Sequence, residues 1–283
     1  MKKLIPLLCA LALALSLAAC SGKTENTGKT PEADASAAQS GEVATDRNGK
    51  TIPSNIPQSA VTDMPETFDS MEYVLYMNIF SYKDQNDPSK GMGGDDYVGE
   101  KQTKEGTFFK LRDEYNKKDR YYVWGYADQT RCCDYQWEFV PDDVTALPAP
   151  GSRIKVQGTF SKSSDALDGY WLTSPTVTVE KESAAPAYEL DLTTASPTLA
   201  RVQIQNMQQF ASVFTGKTLR VFGRLYAANC IQHPYYDGAW QMDFTGTDQT
   251  SAPGTYLLIG GTFTAGEENG SYLAVESYNE VTV

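Results

Sequence analysis

The sequence predicts a mainly β fold with short helices (α+β), arranged as two tandem small Greek-key β-barrels, each preceded by a helix. Three observations carry that prediction. All 32 Tyr, Phe and Trp residues lie between Phe68 and Val283, so the foldable material is confined to that stretch. Within it, blocks of residues recur in the same order, which is the mark of an internal repeat. Between the repeated blocks run short β-branched and aromatic segments interrupted by Gly, as in strands that must bend around a small barrel.

The chain opens with Met1-Lys2-Lys3 and an apolar run from Leu4 to Leu17, broken only by Pro6 and Ser16. Such a run is short for a bilayer span and has the layout of an export signal. Leu17-Ala18-Ala19-Cys20 resembles a bacterial lipobox. That resemblance implies cleavage before Cys20 and diacylation of its thiol, leaving a protein held at the outer face of the cell membrane. Two acyl chains give stable attachment where one is marginal. Residues 1–19 are thus read as a lipoprotein signal peptide. Residues 20–65 are read as the lipidated Cys20 and a flexible linker, since Ser21 to Pro65 contains no aromatic residue and is dominated by small and polar types.

Residues 66–183 and 184–283 are read as the two repeated domains. Val74 to Ile79 aligns with Val202 to Met207 at an offset of 128, and Gly99 and Gly106 align with Gly216 and Gly223 at 117. Trp137 aligns with Trp240, and Gly151-x-x-Ile154-x-Val156-x-Gly158-Thr159-Phe160 with Gly254-x-x-Leu257-x-Ile259-x-Gly261-Thr262-Phe263, at 103. The falling offset assigns about eleven extra residues near Asp87 to Asp96 and fourteen near Tyr115 to Asp128 to the first unit. Ser196-Pro197 reads as an N-cap and first helical residue, followed by apolar residues at helical spacing before Gly216. The matching stretch, Met71 to Tyr82, reads as helix by the repeat, although Tyr73 to Phe80 also suits a strand. Strands are expected at Tyr121 to Tyr126, Tyr135 to Val140, Ile154 to Phe160, Thr218 to Tyr226 and Tyr256 to Phe263. Asp168-Gly169 and Asn269-Gly270 are hairpin signals. A helix and about five strands per unit suggest barrels of the OB type, with a single sandwich of all strands as the alternative.

Asp96-Tyr97-Val98-Gly99, Gly106-Thr107-Phe108, Cys132-Cys133 before Trp137-Glu138-Phe139, and the Gly151 to Phe160 block together resemble a group of uncharacterised Firmicute-type bacterial lipoproteins with OB-like domains. A fainter similarity is to the C-terminal β-domain of a permease-associated family with suspected metal-linked roles. The resemblance implies an OB-like fold without an assigned activity. The second unit departs from it in lacking the Cys-Cys pair.

The formal charge of −12 excludes the basic footprint that nucleic acid requires. The signal carries +2 and the linker −2, so the acidity belongs to the part from Glu66 onward. Among candidate sites, Cys132, Cys133, Cys230 and His233, with Asp134 nearby, offer three sulfurs and an imidazole to Zn²⁺ or Cu⁺. The competing reading is a disulfide from Cys132 or Cys133 to Cys230, or buried inert thiols. Tyr122, Trp124, Tyr126, Tyr135 and Trp137 form an aromatic stripe suited to stacking on a sugar or peptide, or equally to a barrel core. The acidic segment Asn86 to Asp96 lacks the ligand order of an EF-hand and reads as a loop. With one His and no nucleophile, metalloprotease or phosphate-loop motif, the chain is expected not to be an enzyme. Adjacent Asp142-Asp143 would face opposite ways on a strand, poor geometry for shared acid–base work.

The reading is a lipid-anchored extracytoplasmic lipoprotein acting as a non-catalytic binding or scaffolding module, with no resident cofactor. Its expected partners are the membrane through the anchor and a cell-wall or protein component, and no nucleic acid. One alternative is a metal-handling (Zn or Cu) or thiol-active accessory lipoprotein; another is a binder of cell-wall polysaccharide or peptide.

Overall fold

The computed structural model describes residues 67–80, 93–128, 131, 133–234, 237–247, 250–266 and 270–281, all within one compact unit. The chain is mostly β with a few short helices. Helix α1 (Ser70–Phe80) begins where Asp69 accepts from the Met71 and Glu72 amides at 2.9 and 3.0 Å. Strands β1 (Lys101–Asp113), β2 (Lys118–Tyr126), β3 (Asp134–Phe139), β4 (Arg153–Lys162) and β5 (Tyr170–Lys181) follow. They close into a barrel of order β1-β2-β3-β5-β4, with β4 returning to pair β1. The Ile79 end of α1 plugs this barrel, packing on a core of Phe108, Val123, Trp137, Ile154 and Leu172. Lys104 is buried inside, 4.1 Å from the centre of the Trp137 ring and held by Glu72 of α1 at 2.9 Å.

After β6 (Leu190–Asp191) come α2 (Pro197–Gln209) and α3 (Ala211–Phe214), divided at Phe210. Strands β7 (Thr218–Ala227), β8 (Cys230–Gln232), β9 (Gln241–Thr245), β10 (Tyr256–Ala265) and β11 (Ser271–Val281) then form a six-stranded sheet of order β10-β11-β9-β8-β7-β6. In it β10 also pairs β7. Among the described residues no helix is long and apolar enough to cross a membrane.

The aligned blocks coincide bond for bond. Gly99 N–H donates to Phe160 O at 2.8 Å, and Gly216 N–H to Phe263 O at 2.9 Å. Both glycines have positive φ, 92° and 87°, where a side chain is strained. Gly151 N–H reaches Phe108 O at 2.8 Å, and Gly254 N–H reaches Leu225 O at 2.7 Å. Gly106 faces Ile154 as Gly223 faces Leu257. The register shifts beside Gly158 and at Gly260/Gly261, which the alignment matches, bend β4 and β10 alike.

The structure adds to or departs from the local expectations at three places. β1, which carries Gly106-Thr107-Phe108, runs on to Asp113, because β2 pairs it to the end while β4 releases it at Thr107. The Asp168-Gly169 signal closes no two-residue hairpin; residues 163–169 form the whole turn between β4 and β5. The extra residues near Tyr115 to Asp128 appear as a β2 of nine residues where β8 has three. Asn269 and residues 81–92 lie outside the described residues.

Candidate functional site

Helix α2 builds the junction between the closed barrel and the six-stranded sheet. Ser196 Oγ accepts from the Leu199 amide at 3.1 Å, with Pro197 as the first helical residue. A second cap comes from β3: Asp134 accepts from Thr198 N–H at 3.0 Å and from Thr198 Oγ1 at 2.9 Å. Further along, Gln203 Oε1 accepts from Arg112 N–H at 2.8 Å, and Asn206 accepts from Glu114 N–H at 3.3 Å and donates to Arg112 O at 3.0 Å. These are the backbone groups that β1 exposes once β4 has left it, so α2 closes an otherwise open strand edge. Leu199, Ile204 and Met207 sink into the core of the six-stranded sheet, and the same buried cluster takes in Phe109, Leu111, Tyr122, Trp124 and Tyr126 from the outer side of β1 and β2. Trp124 Nε1–H donates to Thr194 O at 3.0 Å.

The five aromatic residues of the expected binding stripe are therefore 0–2 % exposed. Tyr122, Trp124 and Tyr126 are covered by the α2 region, while Tyr135 and Trp137 fill the barrel. None offers a ring face to solvent, because period-two alternation placed one set inside the barrel and the other under the neighbouring sheet.

Of the metal and thiol candidates, Cys133, Cys230 and His233 are among the described residues. Cys132 lies outside the described residues, and Cys133 and Cys230 stand as thiols, so no bridge joins those two. Cys230 opens β8 opposite Asp243. Ile231 is fully buried in the core, so strand alternation turns Cys230 to the other side from Ile231 and carries His233 inward, with the His233 backbone N–H donating to Trp240 O at 3.1 Å. A Cys-x-x-His spacing laid along a strand thus points its two ligands to opposite faces. Among the described residues no group of three or more His, Cys, Asp and Glu is placed to hold a metal ion. Burial, and then a hydrogen bond with Asp243, pushes the Cys230 thiol up to about 12, which leaves it unreactive. Asp95, from the acidic segment, pairs with Lys162 at 2.7 Å and accepts from Tyr170 OH at 2.8 Å. Asp143 caps the Thr145 amide at 2.8 Å.

What the junction leaves open is a groove of about 430 Å³ between β1, β6 and α3. Phe109, Leu192 and Phe214 lie in its lining, with Lys110 paired to Asp119 at 2.8 Å and Lys217 to Glu189 at 2.5 Å at the rim. Glu114, also in the lining, is held below the usual carboxylate range by Lys117 and then Arg112, so it is ionised throughout the neutral range. The groove joins an apolar lining to paired charges, which suits binding; no Ser, Cys or His lines it as a nucleophile or base. Phe109 and Leu192 stand in no motif or repeated block, so nothing in the sequence singles them out. The one available signal was polar Gln203 and Asn206 on the same side of α2 as buried Leu199.

No family model matches this chain, and a comparison with curated proteins finds no match.

Proposed function

We propose that this chain is a lipoprotein anchored through Cys20 on the extracytoplasmic face of the membrane, and that its body is two OB-like barrels joined into one non-catalytic binding or scaffolding module. The repeated pairings support the barrel reading: β7-β8-β9-β11-β10 with the β10–β7 contact retraces β1-β2-β3-β5-β4, including a parallel β3–β5 and a parallel β9–β11. β6 is then an added strand on the second barrel.

The observation that carries the module reading is the α2 junction. It spends the outer aromatic face of the first barrel on the second, and leaves the adjoining groove open. The groove is the binding surface in this reading, and a cell-wall or protein component is the partner class. The test is two-part. Metabolic labelling with a fatty acid should mark the wild-type chain and not Cys20→Ala; labelling that survives would remove the anchor. Two-dimensional NMR of residues 66–283 with soluble cell-wall fragments should shift amides around Phe109, Leu192 and Phe214. Shifts confined elsewhere would take the groove out of the proposal.

A further inference from the structure

Phe108, Lys110 and Arg112 turn their main-chain groups toward the edge of β1 that β4 leaves, because successive residues of a strand point their N–H and C=O to opposite sides. Phe108 N–H donates to Ser152 O and Phe108 O accepts from Gly151 N–H, each at 2.8 Å. Arg112 N–H and O are taken by Gln203 and Asn206 of α2. Lys110 lies midway between them on the same edge, so its pairing with Tyr121 of β2 leaves both its N–H and its C=O facing outward. Among the described residues no hydrogen bond reaches either group. The edge is thus sealed on either side of this residue and open at it.

Lys110 lines the groove already described, and so does Leu190 of β6. β6 is the last strand of its sheet. Glu189 N–H donates to Thr218 Oγ1 of β7 at 2.9 Å, so Leu190, one residue on, turns its N–H and C=O away from β7. These too have no hydrogen bond among the described residues. Two strand edges, each with an unfilled donor and acceptor, therefore border one cavity.

Main-chain groups are the polar capacity this groove has left. Its charged side chains are matched to one another, Lys110 with Asp119, Arg112 with Glu114 and Lys217 with Glu189. Asp191 is taken by Arg220. An ionic ligand finds no spare counter-charge here. Phe109 and Phe214 are 3 and 4 % exposed, so neither shows a ring face on which a sugar would stack.

We infer that the groove receives an extended polypeptide segment of a partner protein as an added β-strand, paired to the Lys110 edge of β1. This rests on the reading of the groove as the binding surface and names its ligand class. In strand addition main-chain hydrogen bonds give affinity, and pockets for alternate side chains give specificity. Phe109 and Lys110 lie on opposite faces of β1. Alternate side chains of the added strand therefore meet Phe109, Leu192 and Phe214 on one face and the matched charges of Lys110 and Arg112 on the other. The segment that fits alternates apolar with uncharged polar residues. The rival is a hydrated edge, with the Lys110 ammonium discouraging strand pairing.

The test is ¹H–¹⁵N NMR of residues 20–283 carrying Cys20→Ala. In the free protein the Lys110 and Leu190 amides should exchange with solvent faster than those of Phe109 and Leu111, whose N–H groups face β2. Protection of Lys110 there would mean that the edge is already filled, by this chain or a second copy, and overturns the proposal. The probe is a capped peptide of alternating Val and Thr with one Lys and one Glu at its ends. Expected are a saturable shift and slowed exchange of the Lys110 amide, both absent with the same peptide N-methylated at its central residues. Lys110→Pro, which removes the edge N–H, should bind the peptide about tenfold more weakly. N-methylation keeps the side chains, so equal responses to the two peptides, or no response to either, overturn strand addition whether or not Lys110→Pro folds. Soluble cell-wall glycan free of peptide is titrated in parallel. If the glycan and not the peptide shifts Phe109, Leu192 and Phe214, the groove stands and the peptide class falls. If the peptide binds with shifts confined elsewhere, the groove itself falls.

Discussion

His233 is buried against Trp240, and burial, followed by the fields of Arg201 and Arg224, pushes its pKa down to about 3. In the unfolded chain it takes up a proton near 6.5, so the unfolded state binds more protons between those values and native stability falls as the pH drops through that window. The loss is on the order of 4 kcal/mol once complete. Urea unfolding of His233→Gln should show a flatter acid limb than wild type; an unchanged slope would mean the imidazole titrates normally. At Cys230 the raised pKa predicts alkylation about 10³-fold slower than a free thiol at pH 8, with normal reactivity after denaturation. Rapid modification of Cys230 in the native protein would contradict the raised pKa. Neither behaviour was legible in sequence: Cys-x-x-His looks like a ligand pair until its placement along β8 is known.

Element boundaries were far more readable. Ser196-Pro197 announces α2, and the paired glycines announce the starts of β1 and β7, because caps and positive-φ turns depend on a few neighbouring residues. The partners of those elements were not readable. Asp134 was considered as a metal ligand, and instead it caps a helix 64 residues away. Asp134→Ala should destabilise the protein by about 1 kcal/mol in chemical unfolding, with Thr198→Ala adding little on top, since both remove one contact. Full additivity would separate the two residues. On the outer side of β2, Arg120 donates to Asp113 and Glu138, each at 2.7 Å, and all three are buried. Although burial opposes it, hydrogen bonds from Asn116 and Arg120 hold the Asp113 carboxyl below the usual range. Arg120→Met strands two buried carboxylates and should cost about 3–5 kcal/mol, while the triple change to apolar residues should recover most of it. A loss below 1 kcal/mol on Arg120→Met would show that the network is solvated.

At the scale of the molecule, the repeat was legible from glycine and aromatic spacing, yet the relation between its copies was not, since it rests on Gln203, Asn206 and Trp124, whose partners lie far along the chain. The exposed segment Ala184 to Ala187 is the expected point of proteolytic entry. Because one buried cluster contains Tyr122 and Trp124 together with Ile204, Leu257 and Phe263, the nicked halves should stay associated and unfold in a single calorimetric transition. Two resolved transitions, or separation of the halves by size, would contradict a continuous core.

Duplicated modules are commonly free to be lost, copied again or shuffled. Here the helix that introduces the second copy has become a wall of the first, sealing β1 with Gln203 and Asn206 and roofing Trp124. Deleting the later copy would bare an aromatic sheet face and a strand edge on the earlier one. In the two-barrel reading proposed above, the later unit cannot be removed without unsealing the earlier one, so the two stand or fall as a single piece.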